Sequence, residues 1–304
     1  MSFDNLQAWT AKFLKYLQVE RRISQNTLNA YAGDLHDFCA FLVSNRDEDP
    51  PALASFSRPA VRSYLAALHR RSCAARTIAR KLSALRSFAR YLLREGVVTR
   101  NPTLNIASPK LDAKLPHFLT RLETRTLLQM PDLNTPEGIR DLAILELFYG
   151  AGLRVSELVS LKVRQINFDR STLRVLGKRN KSRVVPLGGT VVSDLQYYLQ
   201  MRRRTEGGGP EHDDFLFVKV DRGPFTRQQM AAVVRSYMKR IVSADKAHPH
   251  ALRHTFATHL LDEGADLLSV KELLGHSKLS TTQIYTHVTA EHLKRVYKKT
   301  HPRG

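Results

Sequence analysis

Between Thr99 and Pro116 the chain carries Pro102, Pro109 and Pro116 and little apolar periodicity. Proline offers no backbone donor and biases the residue before it away from the helix, so this stretch predicts an extended connector and a domain boundary. It divides the 304 residues into segments of ordinary domain size, residues 1–98 and 117–304, with 99–116 as the linker. Before it, the apolar residues recur only at helical spacing. After it, helical runs alternate with short strand-like runs. The expected fold class is therefore mainly α with a small β-sheet: a four-helix N-terminal domain followed by an α+β domain.

The first domain is read from its apolar stripes and caps. Leu6, Phe13, Leu14 and Leu17 define one helix, and Leu28, Tyr31, Leu35, Phe38, Phe41 and Leu42 define a second over Thr27 to Val43, ended by Pro50-Pro51. Ser57 followed by Pro59 is an N-cap with proline in the first turn, ahead of Val61, Tyr64, Leu65 and Leu68. The fourth helix, from about Ala75 to Glu95, has two unlike faces. Ile78, Leu82, Leu85, Phe88 and Leu92 form an apolar face. Arg76, Arg80, Arg86, Arg90 and Arg94 fall opposite, within roughly 120° of arc at about 100° per residue. A solvated helix face usually mixes both signs of charge. A stripe of arginines is better suited to phosphate contact.

In the second domain, Thr120 with Glu123 three residues on has the pattern of a capping box. A strongly apolar helix over Ile139 to Tyr149 stops at Gly150-Ala151-Gly152, and Arg154 opens a short helix, Val155 to Leu161. Ile166–Phe168, Leu173–Leu176 and Arg183–Leu187 read as strands joined by turns at 169–171 and 177–182, with Phe215–Phe217 as a further short candidate. Helices are expected at about 191–203, 226–242, 250–263, 267–274, 281–286 and 291–299, with a loop at Gly207 to Pro210.

Charge narrows the partners. The net charge is +20, made of +9 over residues 1–116 and +11 over the remainder, so both segments are expected to touch the same polyanion. Nucleic acid is the leading partner, because lysine and arginine release counterions condensed on its phosphates. No apolar run approaches the ~18 residues of a membrane span, and no secretory signal is expected from the amphipathic, mixed-charge segment Met1 to Glu20. Cys39 and Cys73 lack metal-ligand spacing, which suggests reduced core thiols in a cytoplasmic protein.

The chemistry concentrates near the C-terminus. His276 precedes Tyr285 by nine residues. Upstream lie His250 and Arg253 in a His-x-x-Arg, Lys178 in a Gly-Lys-Arg-Asn-Lys turn, and Arg154 after the Gly-Ala-Gly break. Singly, each has an ordinary structural explanation: Arg154 could pair with Glu157, and His250, His254 and His259 could be satisfied polar groups on a helix. Together, two arginines, a lysine and two histidines around one tyrosine suit a phosphodiester, with cations to hold the phosphorus centre and a phenol to attack it. His250 and His254 share a helix face, but Arg253 between them and the missing glutamate disfavour zinc. Neither a carboxylate cluster for two metals nor a P-loop is present, so no metal or cofactor is expected.

At these residues the sequence strongly resembles the tyrosine recombinase family, specifically bacterial Xer recombinases of the XerC/XerD type. The matching segments are Gly150-Ala-Gly-Leu-Arg-Val-Ser-Glu-Leu158, Gly177-Lys178, Pro249-His-Ala-Leu-Arg-His-Thr-Phe-Ala-Thr-His-Leu-Leu261, Leu274-Gly-His-Ser277 and Leu279-Ser-Thr-Thr-Gln-Ile-Tyr-Thr-His287, with His301-Pro302-Arg303 closing the chain. The resemblance covers nearly the whole chain. It implies a SAM-like core-binding domain ahead of the catalytic domain. It also implies Tyr285 as nucleophile, forming a 3′-phosphotyrosyl intermediate, Arg154 and Arg253 as phosphate clamp, and His276 as donor to a non-bridging oxygen. Lys178 would be general acid to the leaving 5′-hydroxyl and His250 the assisting base. Arg179 departs from the family turn, where a second glycine is usual.

The resemblance further implies site-specific recombination through a Holliday junction, resolving chromosome dimers at a dif-like site on double-stranded DNA. Four protomers would act on two sites, with a second Xer recombinase and an FtsK-type translocase as candidate partners, and Glu291 to Gly304 would dock on a neighbouring protomer. The alternatives are an integrase of a mobile element, a type IB topoisomerase, and a DNA-binding protein with vestigial cleavage.

Overall fold

The computed structural model describes residues 5–46, 51–110, 118–177, 182–206, 214–219, 221, 223–275 and 296–303. The chain forms two compact units, Met1–Lys114 and Leu115–Gly304.

The first unit is helical. Helix α1 (Leu6–Val19) is capped by Asn5, whose side chain accepts from the Gln7 N–H, and α2 (Gln25–Arg46) packs against it. After a 3₁₀ turn at Leu53–Ser55 come α3 (Arg58–Arg70), with Ser57 as N-cap and Pro59 in its first turn, and α4 (Ala75–Arg94). The apolar face of α4 is where the sequence puts it: Ile78, Leu82, Leu85, Phe88 and Leu92 are buried against Phe13, Leu35, Phe38, Val61 and Tyr64. Cys39 is buried, Cys73 is half-buried, and both are free thiols.

The stretch expected to be an extended linker from Thr99 departs from that reading. The Asn101 side chain accepts from the Thr103 N–H and hydroxyl, making a local turn. Ile106 is buried in the helical core, and Arg86 donates to the Ile106 carbonyl and, at 2.8 Å, to Ser108 Oγ. Residues 101–108 are thus attached to the first unit. Residues 111–117, including Pro116, lie outside the described residues.

The second unit is built around α6 (Pro136–Gly150), preceded by α5 (Arg121–Leu128) with the Thr120–Glu123 capping box in place. Nearly all of α6 is buried, as an apolar helix without a polar face requires. Next come α7 (Val155–Val159) and a three-stranded antiparallel sheet, β1 (Ile166–Asn167), β2 (Thr172–Leu176) and β3 (Ser182–Pro186), in the order β1-β2-β3. Leu173, Val175 and Val185 alternate inward. Val175 pairs with Arg183 and Leu176 with Ser182, so β2 and β3 are joined through the turn expected at 177–182. Helices α8 (Gly189–Glu206), α9 (Arg227–Met238), α10 (Pro249–Asp262) and α11 (Leu267–Leu274) surround α6 and the sheet. Phe215 makes an isolated bridge with Lys162 rather than a strand. The expected loop at Gly207–Pro210 and helix at 281–286 lie outside the described residues.

A last helical turn over 296–300 returns to this unit. Tyr297 is fully buried beside Phe256, its ring stacked on His301 at 4.7 Å. Arg303 reaches the buried Glu146 at 2.8 Å. Burial and this ion pair act oppositely on Glu146; burial wins, and its pKa rises to about 7. Of the closing segment expected to dock on a neighbouring protomer, residues 296–303 are seated on this unit. One aromatic side chain filling an apolar seat explains the placement.

Candidate active site

Three loops or helix ends of the second unit converge on one carboxylate. The first is the break after α6. Gly152 has φ +57°, and a Cβ there would lie 2.5 Å from the Phe256 ring, so only glycine fits. The chain then turns to put Arg154 at the N-cap of α7, three residues before Glu157. The second is the end of α11. Gly275 closes that helix with φ +64°, leaving its last carbonyls without helical partners. The third is α10, on which His250 and Arg253 are three residues apart.

Glu157 is the pivot. Its side chain is 5% exposed. Oε1 accepts from Arg154 Nη1 at 2.7 Å and from Arg183 Nη1 at 2.8 Å; Oε2 accepts from Arg183 Nη2 at 2.9 Å and from the Arg154 backbone N–H at 2.9 Å. Arg253 Nη1 stands 3.9 Å from Oε2. The same arginines cap three consecutive carbonyls of the α11 end. Arg183 Nε donates to Leu273 O at 2.8 Å, Arg253 Nη2 to Leu274 O, and Arg154 Nη2 to Gly275 O at 3.0 Å. The negative end of the α11 dipole thus attracts cations that the capping geometry also requires. Arg253 Nη1 donates to Gly152 O as well, tying α10 to the first loop.

The electrostatics follow. Burial alone would raise the Glu157 pKa, but Arg183, the Arg154 N–H and the Arg154 guanidinium outweigh it and hold it at about 2. Burial and the neighbouring Arg154 push the Arg253 pKa down to about 9, so it is still a cation at neutral pH. Three guanidinium groups surround one carboxylate, an excess of positive charge that a phosphate would complement. Arg154, 33% exposed at its side chain, faces outward; Arg253, 8% exposed, lies beneath. Each spends two of its five N–H donors on the frame, and planar guanidinium is suited to bidentate contact with phosphate.

Because the Glu157 pKa is depressed, its contribution to stability is fully present above its ordinary value of 4.5 and is lost as the pH falls towards 2. We expect the thermal midpoint of the second unit to drop over that window, and Glu157→Gln to start lower and show a shallower drop. Parallel acid profiles for the two proteins would contradict this.

Among the sequence-predicted site residues, the structure brings Arg154 and Arg253 together around Glu157. It puts His250 on the same helix as Arg253, exposed, in the first turn and 6.5 Å from the His248 ring. Lys178, Arg179, His276 and Tyr285 lie outside the described residues. His259 is a core histidine, its Nδ1 3.1 Å from the Tyr149 hydroxyl, and His254 packs edge-on against Phe118. No group of metal ligands forms among the described residues. Sequence reasoning missed Arg183 and saw Glu157 only as an ordinary ion-pair partner. The spacing of Glu157 from Arg154 was available as a signal; nothing local marks Arg183.

Three arginines of the α4 stripe also bond within their own unit. Arg80 pairs with the buried Asp34 of α2, Arg86 holds residues 106–108, and Arg94 bonds Glu95 and lies 4.1 Å over the Tyr16 ring. For Arg80 and Arg86, the acid and carbonyl partners come from outside the helix. Arg76 and Arg90 are exposed.

The comparisons with known proteins give the class of this two-unit chain, an enzyme of DNA strand transfer. The phage integrase family model matches residues 117–292, and the N-terminal SAM-like domain of phage integrases matches residues 11–96. The chain is 42% identical to tyrosine recombinase XerC of Oceanobacillus iheyensis over 99% of this chain and 98% of that one. It is 40% identical to tyrosine recombinase XerD of Listeria innocua over 96% and 98%. In fold it is similar to XerH site-specific recombinase in a pre-cleavage complex with its difH substrate, with a TM-score of 0.72 at 18% identity over 98% and 95% of the two chains. It is also similar to the Tn1549 transposon integrase bound to transposon right end DNA, with a TM-score of 0.70 at 19% identity over 97% and 99%. The chain belongs to the phage integrase family, as a tyrosine recombinase of the Xer type.

Proposed function

We propose that this recombinase resolves chromosome dimers at a dif-like site, acting in the cytoplasm as a homo- or heterotetramer on two DNA duplexes. The observation that carries the chemical part is the Arg154–Arg253 pair fixed by Glu157 and the α11 end. In this reading the two guanidinium groups hold the scissile phosphate, and Tyr285 attacks phosphorus with His250 accepting its proton. A phenol titrates near pH 10 in water, so it needs both a base and the cations to react at neutrality. Charge gathering on the phosphoryl oxygens is met by the arginines and by His276. The P–O5′ bond breaks as Lys178 protonates the leaving oxygen. The phosphotyrosyl ester conserves the energy of that bond, so the 5′-hydroxyl of a second strand can reverse the step without ATP.

Residues 1–98 and 117–304 would form the two halves of a DNA clamp, with Arg76, Arg80, Arg86, Arg90 and Arg94 facing phosphates. Three of these also bond within their unit, so Arg76 and Arg90 carry the larger share. Identities of 40–42% to Xer recombinases over nearly full length support a dif-like target over a mobile-element site. A second Xer recombinase and an FtsK-type translocase fit the same reading.

The test is covalent trapping on a nicked dif-like duplex whose short product diffuses away, without magnesium. A protein–DNA adduct is expected from the native chain and none from Tyr285→Phe. Specific binding with no adduct, even after a partner recombinase is added, would support a vestigial DNA-binding protein instead.

A further inference from the structure

We propose that Arg183 is a positioning residue for the general acid: it fastens the strand that leaves the Lys178 turn to the same carboxylate that fixes the phosphate clamp. The inference rests on the functional reading above, in which Lys178 protonates the leaving group.

The geometry is specific. Hairpin β2–β3 closes with the pair Leu176–Ser182, and Arg183 is the next residue into β3, opposite the buried Val175. Its side chain is only 14% exposed. The guanidinium makes two parallel bonds to Glu157, at 2.8 and 2.9 Å, and a third from Nε to Leu273 O at 2.8 Å. Its aliphatic stem and Nη1 fill the space beside Gly275: a Cβ there would come 3.2 Å from Cδ and 3.0 Å from Nη1. Arg183 therefore links three elements through one side chain: β3, α7 and the end of α11, which itself packs against β3. For surface charge alone, one bond to solvent-facing carboxylate would do. A bidentate, buried contact fixes both distance and orientation, which lysine cannot reproduce. The chain between the last residue of β2 and Arg183 is short, so fixing Arg183 restricts where the turn carrying Lys178 can stand. General acid catalysis depends on placing the proton within hydrogen-bond reach of the leaving atom, and a loosened strand would forfeit that first.

The consequence separates Arg183 from a merely structural arginine. In the cleavage step Tyr285 Oη bonds phosphorus, the P–O5′ bond breaks, and the proton passes from the Lys178 ammonium to O5′. With sulfur in place of O5′, the P–S bond breaks and a thiolate leaves without needing that proton, because a thiol titrates near pH 8.5. Single-turnover adduct formation by the full chain should be measured on otherwise identical nicked duplexes with a 5′-bridging oxygen or sulfur. The proteins are native, Arg183→Gln, Arg183→Lys and Lys178→Ala. We expect Arg183→Gln to be about 10²-fold slower than native on the oxygen substrate and within about tenfold of native on the sulfur one. Equal slowing on both substrates, or none on either, would overturn the proposal. Should Arg183→Gln fail to fold by circular dichroism, Arg183→Lys, which keeps a cation beside Glu157, takes its place on the same two substrates with the same outcomes expected. Lys178→Ala keeps the two readings apart. If sulfur rescues it but not the Arg183 variants, only the role of Arg183 falls. If sulfur fails to rescue it, the assignment of Lys178 falls, and the role of Arg183 with it.

Discussion

Glu157→Ala is expected to destabilise the second unit by about 3–5 kcal/mol, the cost of removing one partner from a buried charge cluster. The mechanism is the uncompensated cation. Arg183 is 14% exposed and Arg253 8%, and both face the Glu157 carboxylate. Without it, two guanidinium groups confront Arg154 with nothing between them, and four hydrogen bonds of 2.7–2.9 Å disappear together. The two units allow an internal control. Trp9 is the single tryptophan and belongs to the first unit, so its fluorescence follows that unit, whereas far-ultraviolet circular dichroism reads both. In urea, the dichroism transition of the variant should move to lower denaturant while the tryptophan transition stays in place. A dichroism transition unchanged from native would mean that the carboxylate is dispensable to the fold.

Arg253→Lys should slow covalent adduct formation by about 10²–10³-fold while DNA affinity stays within a few-fold, the usual scale for losing one preorganised donor to a developing oxyanion. Arg253 donates to Gly152 O and to Leu274 O and has further N–H groups for a phosphate. An ammonium is a point charge with three donors on a flexible stem. It can satisfy the two carbonyls or address the phosphate squarely, but it cannot do both from one plane. Single-turnover rates with saturating protein isolate the chemical step. A rate within tenfold of native would show that charge alone, without the guanidinium plane, holds the phosphate.

Much of the fold was legible in the chain because the signals are local. Ser57 with Pro59 and Thr120 with Glu123 mark helix starts where the structure has them, and the three strands fall within a residue or so of their alternating runs. Elsewhere the fold adds partners distant in sequence. Asp34 neutralises Arg80 from another helix, and Arg86 gathers residues 106–108 onto the first unit, so neither the stripe nor the linker could be judged from its own composition. At the candidate site, Arg154, His250 and Arg253 were singled out from an ordered motif, and the fold brings the two arginines together around Glu157. Glu157 and Arg183 were undervalued because an acid near an arginine and an arginine near a turn are common. Only the fold shows that one carboxylate serves three guanidinium groups. Lys178, His276 and Tyr285 were read from the motif, and their roles rest on it.

Arg154, Arg183 and Arg253 are braced largely by main chain: Gly152, Leu273, Leu274 and Gly275 all offer carbonyl oxygens, and the carboxylate they share, Glu157, sits below the surface. Backbone acceptors do not change when side chains do. The placement of these guanidinium groups is thereby insulated from most side-chain substitutions elsewhere in the unit. An architecture of this kind lets the surface of the unit drift in sequence while the arrangement of its arginines is carried along intact.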